Sequence, residues 1–341
     1  MVTVDTIKSY GKSLGIDEIR IAHAEPFTDA YTRIAEQIET NLYLETEHWH
    51  RRDIKQFCDP HSKLARAHSI IAACQCYLTD EDPDKSTPGN PHGLIARYTW
   101  RNYYRDLRQR LKQLAQYLNR ETDAQYRVFS NGPLAEKPIA QRCGIGYYGK
   151  HCIIITPTYG SWVVLGEIVT DIELEPDPPL SLECGDCTVC MEACPTKALI
   201  APYVVDRRKC IQALTNWFGI IPDEIAQVWG KRLYGCTTCQ DVCPRNDDVT
   251  PHRPRTDVGY VGPSLPLFDI LSMDDTDYRT RYPNNQVTAH WIRFKAIQRN
   301  ALLCLAHTSD KAGLPVLEKF ATCNDHILAE TAQWSLRNHR V

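Results

Sequence analysis

Eight cysteines near the middle of the chain have the spacing of iron–sulfur ligands. The first four follow a C-x2-C-x2-C-x3-C pattern closed by Pro195, three more repeat the end of that pattern before Pro244, and one lies between the runs. Two cubane [4Fe–4S] clusters need eight thiolates, and in two-cluster ferredoxins the fourth cysteine of such a run binds the other cluster. We therefore predict one cluster on Cys184, Cys187, Cys190 and Cys243, and a second on Cys194, Cys210, Cys236 and Cys239. Such a protein moves single electrons.

Zinc and disulfide bonds explain these cysteines less well. Structural zinc usually takes two C-x2-C pairs per ion and has no use for a three-residue gap followed by Cys-Pro, although zinc alone, or zinc plus one cluster, is the remaining alternative. Residues 1–16 contain Asp5, Lys8 and Lys12 and no apolar segment, so we expect no secretory signal. A reducing cytoplasm, the location we expect, suits thiolates and opposes disulfides.

Composition indicates a globular protein of two or three domains. The 341 residues are 43% hydrophobic and 24% charged, which is ordinary for a soluble chain. No apolar run reaches the roughly 18–20 residues that span a bilayer, so we expect no membrane partner, and we expect a monomer. Because the net charge is −3, any contact with nucleic acid must come from a local basic face.

The pattern of apolar residues divides the chain into three parts with an overall α+β fold. Residues 1–175 form an α+β domain, residues 180–246 a ferredoxin-like module, and residues 265–341 a helical region of one or two HEAT-like hairpins. Proline-rich linkers at 173–179 and 247–266 separate them. Helices are predicted at 4–14, 31–44, 103–119 and 291–306, and strands at 69–78, 152–156 and 161–170.

One glycine motif does not indicate a dinucleotide site. Gly144, Gly146 and Gly149 match G-x-G-x-x-G, but that fingerprint needs a strand before it and a helix after it. Here the predicted strand follows the motif, so the order is inverted. A better explanation of the glycines is that they let the backbone approach a large ligand closely.

Several segments together resemble one enzyme family. They are residues 95–98 with Trp100, 136–137, 144–151, 160–171, 184–196, 201–203, 206–210 and 234–244. In combination they resemble the epoxyqueuosine reductases, which are cobalamin-dependent iron–sulfur enzymes related to reductive dehalogenases, and the resemblance covers nearly the whole chain.

The resemblance implies a division of labour among the three parts. The first domain would bind base-off cobalamin, and the ferredoxin-like module would pass electrons singly from a ferredoxin or flavodoxin to the cobalt. The epoxide of epoxyqueuosine in a tRNA anticodon loop would then be reduced, with loss of water, to queuosine. The helical region would help to hold the tRNA, a partner for which no RNA-recognition motif is visible.

Two substrate-facing segments depart from the family pattern. When Pro133, Glu136 and Lys137 are aligned, Ser130 occupies the position of a family aspartate that would donate a proton. A hydroxyl is a poorer acid, although it can relay a proton or hold a substrate. After Trp100, an acid and a histidine of the family become Tyr103 and Arg105. We hypothesise a changed substrate or proton donor, with Ser130, Tyr103 and Tyr104 as candidate catalytic residues.

The remaining candidates for cofactor binding are polar residues around the glycine-rich segment and the cluster module. Lys150 and His151 could contact the corrinoid or its phosphate, and the alternative is a surface lysine beside a structural histidine. Glu167 is an unusual acid in a strand, so a ligand contact or a buried ion pair is expected. Cys152 as a cobalt ligand competes with simple burial, and Gln212 with a polar surface role. The resemblance adds Arg97 and Ser130 to this set.

Two basic groups are possible phosphate contacts, each with a solvated helix face as the alternative. The first comprises His48, His50, Arg51 and Arg52, which could also bind a metal. The second is a C-terminal strip of Arg279, Arg281, Arg293, Lys295 and Arg299.

Three functions remain open from the sequence. The first is a cobalamin- and [4Fe–4S]-dependent reductase acting on epoxyqueuosine in tRNA. The second keeps both cofactors but reduces a small epoxide, a halide or another organic substrate. The third is a non-catalytic protein that carries electrons or cobalamin to a partner.

Overall fold

The computed structural model describes residues 2–44 and 53–339. Its strands are β1 Glu18–His23, β2 Ser69–Cys76, β3 His92–Ile95, β4 Tyr126–Phe129, β5 Tyr147–Tyr148, β6 Ile154–Ile155, β7 Val163–Thr170, β8 Leu199–Ala201, β9 Val204–Val205, β10 Arg232–Tyr234 and β11 Ser264–Pro266. Its helices are α1 Val4–Ser13, α2 Thr28–Glu39, α3 Ile54–Phe57, α4 Tyr103–Thr122, α5 Glu136–Arg142, α6 Val189–Ala193, α7 Ile211–Leu214, α8 Asp223–Ala226, α9 Thr238–Asp241, α10 Leu267–Ser272, α11 Asp275–Arg281, α12 Phe294–Ala306, α13 Leu314–Ala321 and α14 His326–Arg337. The fold is mixed α+β with a helical C-terminal region, as predicted.

An antiparallel sheet in the order β1-β2-β7-β4 forms the centre of the first domain. Strands β2 and β7 are buried along their whole length, because helices cover both faces of the sheet. The side chains of Leu107, Leu111 and Leu114, spaced three or four apart on α4, pack on one face, and α5 packs on the other. Each fully buried leucine contributes about 1.5–3 kcal/mol.

Helix α4 has a clear start and stop. The Asn102 side chain accepts a hydrogen bond from the backbone N–H of Arg105 at 3.0 Å, and Asp123 ends the helix in a left-handed conformation. Tyr103 and Tyr104 therefore stand in the first turn, at a fixed height above the sheet.

A second, three-stranded sheet joins distant parts of the chain. Strand β3 pairs in parallel with β10, which leads into the second cysteine run, and antiparallel with β11, which leads into the C-terminal helices. The first domain, the cysteine module and the helical region thus share one small sheet.

A buried polar network also fastens the cysteine module to the first domain. Gln240 donates from Nε2 to the hydroxyl of Tyr77 at 2.9 Å and to the carbonyl of Ser161 at 2.8 Å. Asn246 accepts from the backbone N–H of Ser161 at 2.7 Å and donates to the Gln240 carbonyl at 2.7 Å. Since Gln240 follows Cys239 and Asn246 lies three residues after Cys243, this Gln240–Asn246 network fixes the second cysteine run against the sheet.

The C-terminal region is a set of packed helices. Helix α12 lies at its centre, with α10 and the α13–α14 pair packed around it. Among the described residues, no helix is long and apolar enough to cross a bilayer.

The basic strip predicted along this region is wrong in one essential member. Arg299 is 0% exposed, and its guanidinium donates to the backbone carbonyls of Gly219, Leu214 and Trp217 at 2.7–2.8 Å. It cannot reach a phosphate, because α12 is buried on nearly every side. Arg281 and Lys295, by contrast, form exposed ion pairs with Asp269 and Asp325.

Candidate iron–sulfur and cofactor site

Electrostatic effects among the cluster cysteines connect members of each predicted set, while the grouping into two clusters stays a prediction. Burial, and after it the sulfurs of Cys243, Cys184 and Cys187, raise the pKa of Cys190 to about 11. Burial and then the sulfurs of Cys236, Cys210, Cys190 and Cys194 raise the pKa of Cys239 well above its usual range. Short helices carry both sets, because α6 and α9 pack against each other.

The donor chemistry of these sets suits cubane clusters. All the donors are thiols, and none is in a disulfide. Within residues 2–44 and 53–339, no three His, Cys, Asp or Glu side chains lie close enough together to hold a single metal ion, whereas each thiolate of a cubane binds a different iron atom.

Hydrogen bonds to sulfur differ between positions. Burial raises the pKa of Cys194, but hydrogen bonds from the Ala198 N–H at 3.3 Å and from Thr196 lower it below its ordinary value. The Cys236 sulfur lies 3.4 Å from the Thr238 hydroxyl. Such contacts favour negative charge at sulfur and tune a bound cluster.

We infer a cleft between the first domain and the second cysteine set from the side chains that would line it. Tyr98 and Tyr104 are half-buried and Lys137 is exposed, yet loss of hydration raises the pKa of both tyrosines, to about 12 for Tyr98, and lowers the pKa of Lys137. Side chains that solvent can touch but that protein surrounds are the walls of a concave site. Gln212 joins the Tyr98 hydroxyl to the backbone N–H of Cys236, so the cleft we infer adjoins the second set.

A tight loop after the glycine-rich segment forms one wall. Lys137 donates from Nζ to the Cys152 carbonyl at 2.7 Å, and Cys152 has a φ of 66°, a conformation that costs a non-glycine residue about 1–2 kcal/mol. This is why the strand predicted at 152–156 is reduced to β6. The Cys152 thiol is half-buried, and burial raises its pKa.

His151 lies in the same loop with one ring nitrogen unpaired. Its side chain is buried, Nδ1 accepts from the Ile153 N–H at 3.2 Å, and Nε2 has no hydrogen-bond partner among the described residues. Burial, followed by the charge of Lys137, lowers the pKa of His151 to about 4. The ring is therefore neutral, with its proton on Nε2.

Ser130 begins the loop that leads to α5. Its hydroxyl donates to the Leu165 carbonyl at 2.7 Å, Asn131 is left-handed with a φ of 53°, and Glu136 accepts from the Gly132 N–H at 3.1 Å. The loop is closed at both ends by these bonds.

Glu167 is a buried acid on β7. It is 1% exposed, it pairs in register with Phe129 just before Ser130, and its Oε1 has no hydrogen-bond partner. Burial, and then the nearby charge of Glu136, raise the pKa of Glu167 well above its ordinary range. Within residues 2–44 and 53–339 no arginine or lysine forms an ion pair with Glu167, so the ion pair expected from the sequence is not seen there.

The other predicted residues lie at different depths. Tyr103 is buried in the core with its ring 5.9 Å from that of Tyr77, whereas Tyr104 reaches the cleft. The Arg97 guanidinium stacks over Trp100 at 4.7 Å and donates to the Thr79 carbonyl.

Two further predicted residues, Gln212 and Lys150, form hydrogen bonds within the protein. Gln212 bridges the Tyr98 hydroxyl and the Cys236 N–H. Lys150 is half-buried, and its carbonyl accepts from the Tyr203 N–H at 3.0 Å. His48, His50, Arg51 and Arg52 lie outside the described residues.

Sequence reasoning missed three residues as parts of the cleft: Tyr98, Lys137 and Arg207. Tyr98 and Lys137 stood inside recognised motifs, next to the predicted Arg97 and the Glu136 position. Their place as polar side chains inside these motif segments was the available signal.

Comparison with known proteins agrees with this geometry. Residues 183–246 match the family model of the 4Fe-4S double cluster binding domain, and residues 58–131 match that of "Epoxyqueuosine reductase QueG, DUF1730". The chain is 35% identical over 336 residues to the epoxyqueuosine reductase of Bacillus anthracis, covering 96% of this chain and 87% of that protein.

Solved structures have the same fold. A structure of epoxyqueuosine reductase with an epoxyqueuosine-modified tRNA-Tyr stem loop superposes with a TM-score of 0.88 and 34% identity, covering 97% of this chain and 88% of the other. The Bacillus subtilis enzyme, solved with its aspartate catalytic loop swung out of the active site, gives 0.87 and 33% over 97% and 88%.

The paired cysteine sets, the adjoining cleft and the identity along almost the whole chain lead to one assignment. This protein is an oxidoreductase with a double 4Fe-4S cluster domain, and it belongs to the epoxyqueuosine reductase family.

Proposed function

We propose that this chain reduces the epoxide of epoxyqueuosine in tRNA to the alkene of queuosine. The reaction consumes two electrons and two protons and releases the epoxide oxygen as water. The observations that support the proposal are the double cluster domain and the Gln212 bridge, which joins the Tyr98 hydroxyl to the backbone of Cys236 in the second set. A family member solved with a modified tRNA stem loop supports this choice of substrate.

Base-off cobalamin is the cofactor we propose for the cleft. It supplies a strongly reducing metal centre, which is the hard part of the chemistry. The unpaired Nε2–H of His151 is a donor that awaits an acceptor, and corrinoid amides and phosphate offer such acceptors. We propose Lys150, Cys152 and Ser130 as further corrinoid contacts, and Arg97, Glu167 and Gln212 as residues that orient the side chains of the cleft.

Electron delivery falls to the two cysteine sets as assigned above. The first set, Cys184, Cys187, Cys190 and Cys243, would receive electrons from a ferredoxin or flavodoxin in the cytoplasm. The second set would deliver them one at a time, since Gln212 links the backbone of its Cys236 to Tyr98 in the cleft. A monomer is sufficient for this path.

Proton delivery must differ from that of relatives with an aspartate at the Ser130 position. We propose Tyr104 as the donor, since its side chain is half-buried and its ring packs edge-on against that of Tyr98 at 6.4 Å. Burial raises the pKa of its hydroxyl, so it stays protonated and gives its proton only to a strong base such as the alkoxide left by epoxide opening. Tyr103 is enclosed in the core. Ser130, tied to the Leu165 carbonyl, holds its loop in place and binds substrate rather than supplying the proton.

We propose that the α13–α14 pair packed on α12 is the HEAT-like unit, and that it contacts the tRNA together with the exposed Arg293 and Lys295. Binding that weakens steeply with salt would be its signature.

The test uses anaerobically reconstituted protein, free cobalamin and tRNA carrying epoxyqueuosine. We expect queuosine among the digested nucleosides, a base-off corrinoid spectrum, and turnover at least about 100-fold lower for Tyr104→Phe, in line with the loss of a general acid. The matched variant Tyr103→Phe should retain turnover.

Bound cobalamin without queuosine formation would reject the proposed substrate. It would favour the second candidate, reduction of a small epoxide or halide, for which the serine at position 130 is the specific observation. Equal turnover by both tyrosine variants would reject Tyr104 as the donor.

A further inference from the structure

A side-chain bridge connects the cleft to a ligand of the second cysteine set. Gln212 donates from Nε2 to the Tyr98 hydroxyl at 2.7 Å and accepts at Oε1 from the backbone N–H of Cys236 at 3.1 Å. Because that N–H can only donate, the amide oxygen must face it, and the amide NH2 must then face Tyr98. Both ends of the glutamine are therefore fixed in orientation.

The local backbone is built to admit this bridge. Gly235, just before Cys236, has a φ of 79°, and a Cβ there would lie 3.0 Å from Gln212 Oε1 and 2.5 Å from the Ala96 Cβ. Only glycine lets the amide lie against the chain at this point. The Gly235 N–H is itself held by the Thr215 hydroxyl at 3.0 Å, so successive N–H groups before the ligand sulfur are held by side chains of the α7 segment.

The bridge also ties two ligands of one set together. Gln212 lies two residues after Cys210 and bonds the backbone of Cys236, both of which we assign to the second cluster. The N–H of Cys210 points elsewhere, to the Asp206 carbonyl at 3.1 Å. At both positions the backbone N–H, whose dipole could otherwise point at the cluster, donates to another acceptor.

Hydrogen bonds and solvent near the sulfurs set the potential of an iron–sulfur cluster. The positive end of an N–H dipole stabilises the additional negative charge of the reduced cluster, so each N–H withdrawn from the sulfurs makes the cluster harder to reduce. We infer that Gln212 is a tuning residue: by holding the N–H of Cys236 it keeps the potential of the second cluster low.

The test is a potentiometric titration of the reconstituted double-cluster protein, followed by electron paramagnetic resonance, with neither corrinoid nor tRNA present. In Gln212→Met the Cys236 N–H loses its acceptor and turns to sulfur or to water. We expect one of the two reduction waves to shift to a more positive potential, while the other stays in place.

Two further variants separate tuning from damage. Gln212→Glu keeps an acceptor for the Cys236 N–H, so the wave should stay at or below its original potential. Tyr98→Phe removes only the anchor of the amide and should give a smaller positive shift. Gln227→Met, the same substitution at an exposed glutamine bonded to Asn338, should leave both waves unchanged.

An unmoved or more negative wave in Gln212→Met, with about eight iron atoms retained, would overturn the inference. So would an equal shift of both waves, or a Gln212→Glu protein that behaves like Gln212→Met. Since the measurement contains no substrate and no corrinoid, failure here leaves the proposed reaction untouched, and failure of that reaction leaves this result standing.

Discussion

Lowering the pH should reduce the free energy of unfolding of this protein through protonation of His151. Replacing this histidine should remove that part of the pH dependence. The ring is 5% exposed, accepts a hydrogen bond at Nδ1 and carries its proton on Nε2. Burial and the nearby charge of Lys137 lower its pKa to about 4 from an ordinary 6.5. The unfolded chain therefore takes up the proton first. The stability linked to His151 is complete above pH 6.5 and is lost as the pH falls towards 4.

The size of the effect follows from the two pKa values. Each pKa unit corresponds to about 1.36 kcal/mol, so the full loss from 6.5 to about 4 is about 3 kcal/mol. Between about pH 7 and about pH 5, where clusters are easier to preserve, linkage gives a loss of about 2 kcal/mol from this residue. That is a large part of the stability of an ordinary domain.

The variant His151→Asn is the matched perturbation, because its Oδ1 can accept from the Ile153 N–H in place of Nδ1. The free energy of unfolding would be measured by chemical denaturation under anaerobic conditions at both pH values. We expect the difference between wild type and variant to change by about 2 kcal/mol in favour of the variant at the lower pH. A difference that does not change with pH, or an ordinary titration of His151 by NMR, would refute the reasoning.

Two other substitutions test buried charge. Arg299→Met leaves three backbone carbonyls without donors, at a cost of about 1–3 kcal/mol each. Removal of a buried charge, whose pKa burial lowers to about 9, offsets part of this cost. We expect the free energy of unfolding to fall by about 2–4 kcal/mol in chemical denaturation, with unchanged affinity for tRNA. The same substitution at the exposed Arg293 should change the free energy of unfolding by under about 0.5 kcal/mol. Weaker tRNA binding in Arg299→Met but not in Arg293→Met would contradict this account. Glu167→Gln should stabilise the protein at pH 8 but not near pH 5, because the raised pKa of Glu167 makes its stability fall as the pH rises; a gain at both pH values would contradict a titrating acid.

Local chemistry made the double-cluster module predictable. Ligand spacing along short segments indicates which sulfurs can share a cluster, and residues 183–246 match the family model of a double cluster domain. The assignment of individual cysteines to each cluster stays a prediction. Strands β2 and β7 were also predictable, since their unbroken apolar runs indicate strands buried on both faces. Helices α1 and α4 begin where predicted and end within a few residues of the prediction.

Long-range packing accounts for what the sequence did not reveal. The sheet that joins β10, β3 and β11 pairs strands of three or four residues from distant parts of the chain, and no short pattern indicates such partners. The helix predicted at 31–44 is α2, Thr28–Glu39, because its weakly apolar face sets no sharp end. The charge of Arg299 suggested a solvated face, but tertiary packing buried it.

The cleft was only partly visible in the sequence for the same reason. Its walls come from Tyr98, Tyr104, Lys137 and Cys152, which meet only after the sheet and the cysteine module have packed together. Motif matching identified the segments, while the side chains that face the cleft depended on backbone details such as the left-handed Cys152.

The Gln240–Asn246 network has a consequence for how electrons travel. Its amides and hydroxyls satisfy one another across the boundary between the first domain and the cysteine module, so separating the two would strand several polar groups at once. The network thus holds the cysteine module in a fixed position against the first domain. We therefore expect electrons to cross a fixed distance between the module and the first domain, without a segment that swings between donor and acceptor.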